Sequence, residues 1–552
     1  MLDLQPTSPD PSCPVPFRWS RSEILHALDD FAQSEPTSRR QFAQQIDVPH
    51  ATLDYWLRHF SASPDDPIDS FFRSTPGDCV LRRIVLSALL TFVLRGGCGI
   101  RLVSDFLQLA HLDPFVACSR GALFALLVRL ESDLAAFAQQ HQPPLAQQMP
   151  FKTISVATDE HFHEDNTCLV AIEPVSNFIL VECYRDHRDA DTWTEVLQKS
   201  IQGMHVEIVL LCSDMASGLL CTADKCLEVM HSPDLFHGQR DLLKAVLPNL
   251  IRPIQQARKE LEKVEKVLAL VDRPLDQPLT KKDLERIAEA AGKKKGIEEQ
   301  LEQATATKEA AVQAVRAIGD DYHPFDRETG KARTAEEVEK RLKGHVEELR
   351  TVVTEERMSE QGKQRLDKAQ KWVTMLMGMV AWYWSVVGDR LDEMELEREQ
   401  EEVIRERLIS GYYWEAAARR ARNGEERKRL EEMASKLLEE GWADEAMSRL
   451  DEEKRKEVQK MAKGAGDLFQ RSSSCVEGRN GRLALMHHGH SRVSERRLKA
   501  MTVIHNYVVK REDGTTAAQR YFGQKHEDVC SWLLERMPGL PRPAKKRPKA
   551  TS

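Results

Sequence analysis

The sequence predicts a multidomain, mainly α-helical protein with one α/β domain, and three observations carry that reading. The chain has 552 residues, enough for three or four domains and more than one core. Between residues 150 and 214 it switches to short β-branched segments of period two, whereas the flanking segments follow helical spacing. After residue 250 charge concentrates and apolar residues recur at intervals of three and four, the pattern of long solvated helices.

Charged residues make up 30% of the chain and hydrophobic ones 41%, a balance typical of soluble proteins. The net charge of −8 does not by itself point to nucleic acid, which would require basic residues gathered on particular faces. Eleven cysteines are scattered without zinc spacing, which fits reduced intracellular thiols better than a disulfide framework or a structural zinc. Residues 1–20 have neither a basic lead nor an apolar core and are expected to be a disordered leader, not a secretory signal. The apolar run 84–94 is too short to span a bilayer. The run 372–388 reaches the lower edge of spanning length, but Gly378 and Ser385 interrupt it and charged helices flank it. Both are expected to be buried helices, with no membrane partner.

Residues 21–75 carry a helix-turn-helix pattern. Thr37 or Ser38 can cap a first helix whose apolar side is Phe42, Ala43 and Ile46. Asp47-Val48-Pro49 forms a tight connection, and Pro49 suits the first turn of the next helix because its missing N–H would be unpaired there. Leu53, Trp56 and Leu57 then form the inward stripe, leaving His50, Thr52, Tyr55 and Arg58 to meet double-stranded DNA as a recognition helix does. The competing reading is one helical hairpin in a larger bundle. Residues 76–140 form a second helical module, more apolar where a recognition segment would lie. The Gln/Pro-rich stretch 139–151 has the composition of a linker.

The α/β domain is expected to begin at 150–250. FKTISVATDEHF, NTCLVAIEPVSNF and ILVECYRDH are three strands separated by short polar breaks. The helix DTWTEVLQKSIQ follows, then the strand HVEIVLLCSD, and a fifth strand and a helix in CLEVMHSPDLFHGQRDLLKAVLPNL. Residues 251–468 are expected to be a helical insertion. It begins with two coiled-coil-like seams: Ile254, Ala257, Leu261, Val264, Leu268 and Val271, then Ile297, Leu301, Ala304, Ala311, Val315 and Ile318. The break DRPLDQPLTKKD between them suggests an antiparallel hairpin. Residues 469–538 would complete the domain. The tail 539–552 is basic, expected to be disordered and to touch nucleic acid without sequence preference.

Two acids stand where apolar strands emerge: Asp159 closes the first and Asp214 the fourth. If those strands are neighbours in a mixed sheet, the carboxylates lie side by side, and hard oxygen ligands of this kind suit Mg²⁺ or Mn²⁺. A lone Asp after a strand is usually a turn residue, so the pairing carries the argument. In SCVEGRNGRL, Glu477 and Asn480 are three residues apart and share one face of a helix. Glu160, Asp165, Asp224, Asp241 and Glu495 compete as ligands. Glu160 follows Asp159 directly on a strand and should face the other way.

The pair of acids in this strand order, with the Glu-x-x-Asn helix, resembles the insertion-sequence transposases of the DDE class. The resemblance covers about 150–250 and 470–510 and implies a ribonuclease-H-like catalytic domain. There Asp159, Asp214 and Glu477 would hold two Mg²⁺ or Mn²⁺ ions, and the site would cut and rejoin DNA ends. It implies DNA contacts by His237 and Arg240 after the fifth strand, and by Asn480 and Arg482 beside Glu477. Several members interrupt the fold between the second and third acids with a large helical domain, which accommodates residues 251–468. Pairing two element ends implies a homodimer or higher oligomer, and the setting would be cytoplasmic and nucleoid-associated. Two alternatives stay open: a structure-selective nuclease of the same fold without strand transfer, and a non-catalytic DNA-binding coiled-coil protein.

Overall fold

Period-two alternation between residues 152 and 213 becomes a single five-stranded sheet in the computed structural model. The structure describes Trp19 and residues 21–33, 38–60, 70–72, 74–163, 166–272, 278–352, 359–421, 423–471, 473–489 and 493–543. The expected leader, apart from Trp19, the last nine residues of the basic tail, Asp165 and the side chain of Arg58 lie outside the described residues. The chain divides into two units, residues 1–130 with 530–552, and residues 131–529.

In the first unit, α1 (Arg21–Gln33), α2 (Arg39–Gln45) and α3 (His50–Phe60) gather around Ile24, Leu28, Phe42, Leu53 and Trp56. Ser38 caps α2 in a capping box with Gln41, satisfying backbone N–H groups that the first helical turn leaves without partners. Asp47 takes φ 52° in the turn before α3, a left-handed conformation that Asp tolerates better than most residues. Farther along are α4 (Thr75–Ala88), a π-helical continuation over Leu89–Arg95, and α5 (Ile100–Leu109). The run 84–94 is thus helical, and Val85, Leu86, Leu89, Leu90, Val93 and Leu94 within it are buried.

The stretch expected as a linker is instead helical: α6 runs over Arg120–Gln148 through Pro143 and Pro144. Burial of Leu145, Ala146 and Met149 outweighs the two backbone bonds that the prolines cannot donate. Gln524 Nε2 donates to the Leu145 carbonyl, 2.8 Å away.

In the second unit, β1 (Lys152–His163), β2 (Asn166–Glu173) and β3 (Phe178–Arg185) pair antiparallel. The chain then crosses through α7 (Ala190–Ile201) to β4 (Val206–Ser213), and passes the short α8 (Ser217–Cys221) before β5 (Met230–Pro233). The order across the sheet is β3-β2-β1-β4-β5, with β1, β4 and β5 parallel. A register shift in the β1–β4 ladder between Ile154 and Ser155 passes over Val209. A one-residue slip moves a strand's side chains to the opposite face. Here it sets Leu210 and Cys212 opposite Ser155 and Ala157.

One face of the sheet packs Ile154, Val156, Leu169 and Leu211 against Trp193 and Leu197 of α7. The other packs Ala157, Val170, Ile172 and Cys212 against Val476, Leu483 and Met486 of α18 (Ser474–Gly489), and Leu498 and Met501 of α19 (Glu495–Tyr507).

Between β5 and α18 lies a helical region. It begins with α9 (Leu235–Leu268) and α10 (Lys281–Asp321), a hairpin joined at its outer part through Ala257, Val264, Ala290 and Ile297. Then come α11 (Ala335–Val352), α12 (Glu360–Asp392), α13 (Arg398–Val403), α14 (Ser410–Arg420), α15 (Gly424–Ala443), α16 (Glu445–Ser448) and α17 (Glu452–Leu468). The base of the hairpin and most of these helices share one large core that also takes in Leu210 of β4. The run 372–388 lies inside α12, where Trp372, Leu376, Val380 and Tyr383 are buried. Among the described residues no helix is long and apolar enough to cross a membrane.

The helical region leaves and rejoins the sheet at one place. Leu235 N–H donates to the Arg471 carbonyl at 3.0 Å, and Ser232 Oγ donates to the Gln470 carbonyl at 3.0 Å.

Candidate metal centre

Strand alternation sends Asp159 to the face that carries Ala157 and α18. Asp214 follows Cys212 by two residues as Asp159 follows Ala157, and Ala157 and Cys212 are ladder partners. The two acids therefore stand side by side where the β1–β4 ladder ends; Asp214 follows the end of β4, but Asp159 does not close β1, which runs on to His163 paired with β2. Glu160 faces the other way, accepting a 3.3 Å hydrogen bond from Trp193 Nε1 and lying 3.6 Å from Arg188 Nη1.

Three interactions fix α18, which brings the third acid. Arg479 is buried and grips Glu182 of β3 with two bonds of 2.5 and 2.6 Å. Asn480 Nδ2 donates to Asp159 Oδ2 at 2.8 Å. Ser473, just before the helix, donates from both N–H and Oγ to Asp234 Oδ2 at 2.5 Å. The first turn of α18 thereby carries Glu477 to Asp159 on β1, the central strand of the sheet.

Asp234 is buried and caps α9, its Oδ1 accepting from His237 N at 2.8 Å. His237 Nδ1 lies 3.3 Å from the same carboxylate oxygen, and His237 Nε2 lies 3.3 Å from Glu477 Oε1. Asp159, His237 and Glu477 each present a ligand atom, and these atoms all lie within 4.8 Å of one another. Asp214 stands outside that group, with Oδ1 accepting from Ala216 N at 3.0 Å.

Burial pushes the Asp159 carboxyl up to about 7, with Glu477 and Asp214 adding to the rise while the Glu160 N–H and His237 oppose it. The hydrogen bond to Asp234 raises His237 above the ordinary imidazole value, against the effect of burial. Burial acts to raise Asp234, but bonds from His237 and Ser473 outweigh it and hold the group below the ordinary carboxylate value. His237 thus stands between Asp234 and Glu477, with its protonated form favoured.

The donor chemistry fits a divalent cation: hard carboxylate oxygens from two elements, one imidazole, and a like-charge repulsion that a cation would relieve. Asp159, Glu477 and His237 would hold it. Asn480 and Asp234 sit one shell out and orient Asp159 and His237, as outer partners do in metal sites.

Among the residues singled out from sequence, Asp159, Glu477 and His237 come together, with Asp214 alongside. His237 sits within the acid cluster instead of standing out toward solvent. Asn480 is 9% exposed, and its amide is directed at Asp159, not at an outer face. Arg240 is exposed beside the Phe236 ring, and Arg482 is exposed on α18. In the first unit, His50 is exposed and 3.5 Å from Asp54, and Thr52 is half-buried. Tyr55 packs against the core of α1–α3, so its ring is partly committed to packing. Asp224 is exposed, and Asp241 and Glu495 are exposed beside Lys244 and Lys499. Asp234 was not anticipated, although its position three residues before His237 at a strand-to-helix junction is a readable capping signal.

A family model described as "Family of unknown function (DUF6399)" matches residues 404–549. That span contains Glu477 and Asn480 and leaves out Asp159, Asp214 and His237. No curated protein matches the chain.

Proposed function

We propose that the protein is a DNA transposase of the DDE class, with a ribonuclease-H-like catalytic core interrupted by the helical region between β5 and α18. One observation carries this reading. Asp159 and Asp214 stand side by side just past the end of the β1–β4 ladder in a β3-β2-β1-β4-β5 sheet, and a helix that begins directly after Ser473, 239 residues beyond Asp234, brings Glu477 beside Asp159.

Asp159, Glu477 and His237, with Asp214 at the margin, would hold the Mg²⁺ or Mn²⁺ ions, two in the full reaction. Bound there, the ions supply polarisation of a scissile phosphate and activation of water or a DNA 3′-hydroxyl. The protein's own part is positional. Asn480 fixes one oxygen of Asp159, Asp234 sets the His237 ring, and the Arg479–Glu182 pair anchors the helix bearing Glu477. Exposed Arg240 and Arg482 are placed to meet DNA phosphates near the acids. In the first unit, α2 and α3 act as a helix-turn-helix, with His50 and Thr52 at the start of α3 toward base edges. A homodimer pairing two element ends and a cytoplasmic, nucleoid-associated setting belong to the same proposal.

The test is metal-dependent nicking of DNA carrying the element's own flanking ends, comparing the parent with Asp159→Ala, Asp214→Ala and Glu477→Ala. The reading requires cutting by the parent and its loss in all three variants with DNA binding retained. Cutting that survives the substitutions overturns the site. Cutting without joining of a pre-cut end to target DNA replaces transposase with a nuclease of the same fold.

A further inference from the structure

A second charged cluster lies on the same face of β1, toward the start of the strand. A cavity of about 2070 Å³ opens there, bounded by Thr153 and Ser155 of β1, the β2–β3 turn, the ends of α10, α14 and α17, and the segment 510–520. Its volume exceeds that of an ordinary small-molecule pocket, roughly 300–1,000 Å³.

Nine arginines line it, and five of them come from distant parts of the sequence without a carboxylate ion pair among the described residues: Arg390, Arg420, Arg471, Arg511 and Arg520. Each spends its guanidinium on neutral acceptors. Arg390 Nη2 donates to Thr153 Oγ1 at 3.0 Å, and Arg420 Nη1 to Gln470 Oε1 at 3.4 Å. Arg511 Nη1 donates to the Val175 carbonyl at 3.1 Å, and Arg520 donates to the carbonyls of Ser176 and Thr515. Arg471 donates to the Gly319 carbonyl, and its buried Nε has no partner. Among the described residues none of the five forms an ion pair with a carboxylate.

Nine acids share the lining with nine arginines and three lysines, and several of the acids are engaged by other groups. Glu173 accepts from Val175 N, Ser176 N and Ser176 Oγ. Asp513 accepts from Thr515, and Asp320 and Glu426 pair with Arg327. Burial lowers Arg390, Arg471, Arg511 and Arg520 from the ordinary guanidinium value; neighbouring cations add to the drop at the last three, while Glu393 opposes it at Arg390, Asp320 at Arg471, and Asp513 and Glu173 at Arg511 and Arg520. A polyanion would relieve that repulsion.

We propose that this cavity binds a chain of phosphate groups, the chemistry shared by a nucleic-acid strand and a free polyphosphate. Guanidinium forks match phosphate oxygens two at a time. The aromatic rings of Tyr413 and Trp414 in the wall are buried while Phe151 is exposed at one side, so the recognition shared along the wall falls on phosphates. The site is independent of the acid cluster and stands whether or not the protein cleaves DNA.

The test uses the full chain in EDTA with two probes: inorganic tripolyphosphate by calorimetry, and a labelled single-stranded oligonucleotide by anisotropy over a salt series. The variant is Arg420→Gln with Arg511→Gln, both exposed positions, with folding checked by circular dichroism. Tripolyphosphate binding that weakens about tenfold or more in the variant, the scale of losing one or two charge-assisted bonds, identifies a free polyphosphate as ligand. Oligonucleotide binding whose salt slope falls by about 1.4, at ~0.7 per lost phosphate contact, with no competition by tripolyphosphate, identifies a strand. Asp159→Asn leaves either binding unchanged, which separates this site from the cleavage reading. Failure of the parent to bind either probe, or unchanged binding of both by the folded variant, overturns the proposal.

Discussion

The acid cluster and the arginine cavity share one face of β1, with Ser155 and Asp159 four residues apart, or about 13 Å along the strand. Both gather like charges, but they differ in how the protein compensates them. The acids have partial compensation from within: His237 faces Glu477, Asn480 donates to Asp159, and Asp234 holds His237. The five arginines have only carbonyls, a hydroxyl and an amide. An acid site with an imidazole in its midst can exchange that partner for a metal, whereas guanidinium groups bonded to neutral acceptors keep their forks for a ligand. The lesson is that the missing counter-ion, more than the charge itself, distinguishes a binding site from a solvated surface.

Four experiments break or sharpen this contrast. Under the transposase reading, Asp159→Asn removes a ligand charge and lowers metal-dependent cleavage by ~10³-fold, the upper range for losing one group that stabilises developing charge. Arg420→Gln with Arg511→Gln leaves cleavage of a short pre-nicked substrate within about threefold, because neither residue touches the acids. Second, Arg479→Ala strands the Glu182 carboxylate in the core and costs about 3–5 kcal/mol, read as a lower denaturation midpoint. Third, Asn480→Ala frees the Asp159 carboxylate and weakens Mn²⁺ binding or cleavage about 10–100-fold with little change in fold.

The smallest effect is in pH dependence. The folded protein raises Asp159 to about 7, above its unfolded value of 3.8. Its proton therefore favours the folded state, a contribution complete below the unfolded value and lost as pH rises through 7. In metal-free protein, Asp159→Asn should thus raise Tm relative to the parent by a few degrees at pH 8 and show no such gain at pH 4. Mn²⁺ should bind the parent more tightly at pH 8 than at pH 6, because Asp159 must lose its proton to ligate. An Asp159→Asn gain independent of pH would contradict the raised value.

Much of the sheet was legible because period-two segments are local signals. The strands at Lys152–His163, Asn166–Glu173, Phe178–Arg185 and Val206–Ser213 lie where alternation places them. The opposite orientation of Glu160 follows from the same rule. The hairpin of α9 and α10 was also readable, since Ala257, Leu261, Val264, Leu268, Ile297 and Leu301 of its seams meet, although Val271 lies past the helix and is exposed. The helix through Pro143 and Pro144 was not, because composition cannot register the burial of Leu145 and Met149. Asn480 and His237 were expected at a DNA surface and instead face the acids, since a helix's rotation about its axis is set by distant bonds such as Arg479–Glu182. The arginine cavity was invisible in sequence because residues 390, 420, 471, 511 and 520 become neighbours only through the fold.

Asp234 has a wider consequence. Its carboxylate binds the start of α9 through His237 N and the approach to α18 through Ser473, residues 239 apart from Asp234 at the far end. The helical region is therefore a closed excursion whose two feet stand on one spot. Loop-closure entropy grows only slowly with length, by about 0.6 kcal/mol per doubling. Such an excursion can be lengthened, trimmed or exchanged over evolutionary time at small cost, while the spacing between Asp159 and Glu477 stays pinned by Asp234, Asn480 and the Arg479–Glu182 pair.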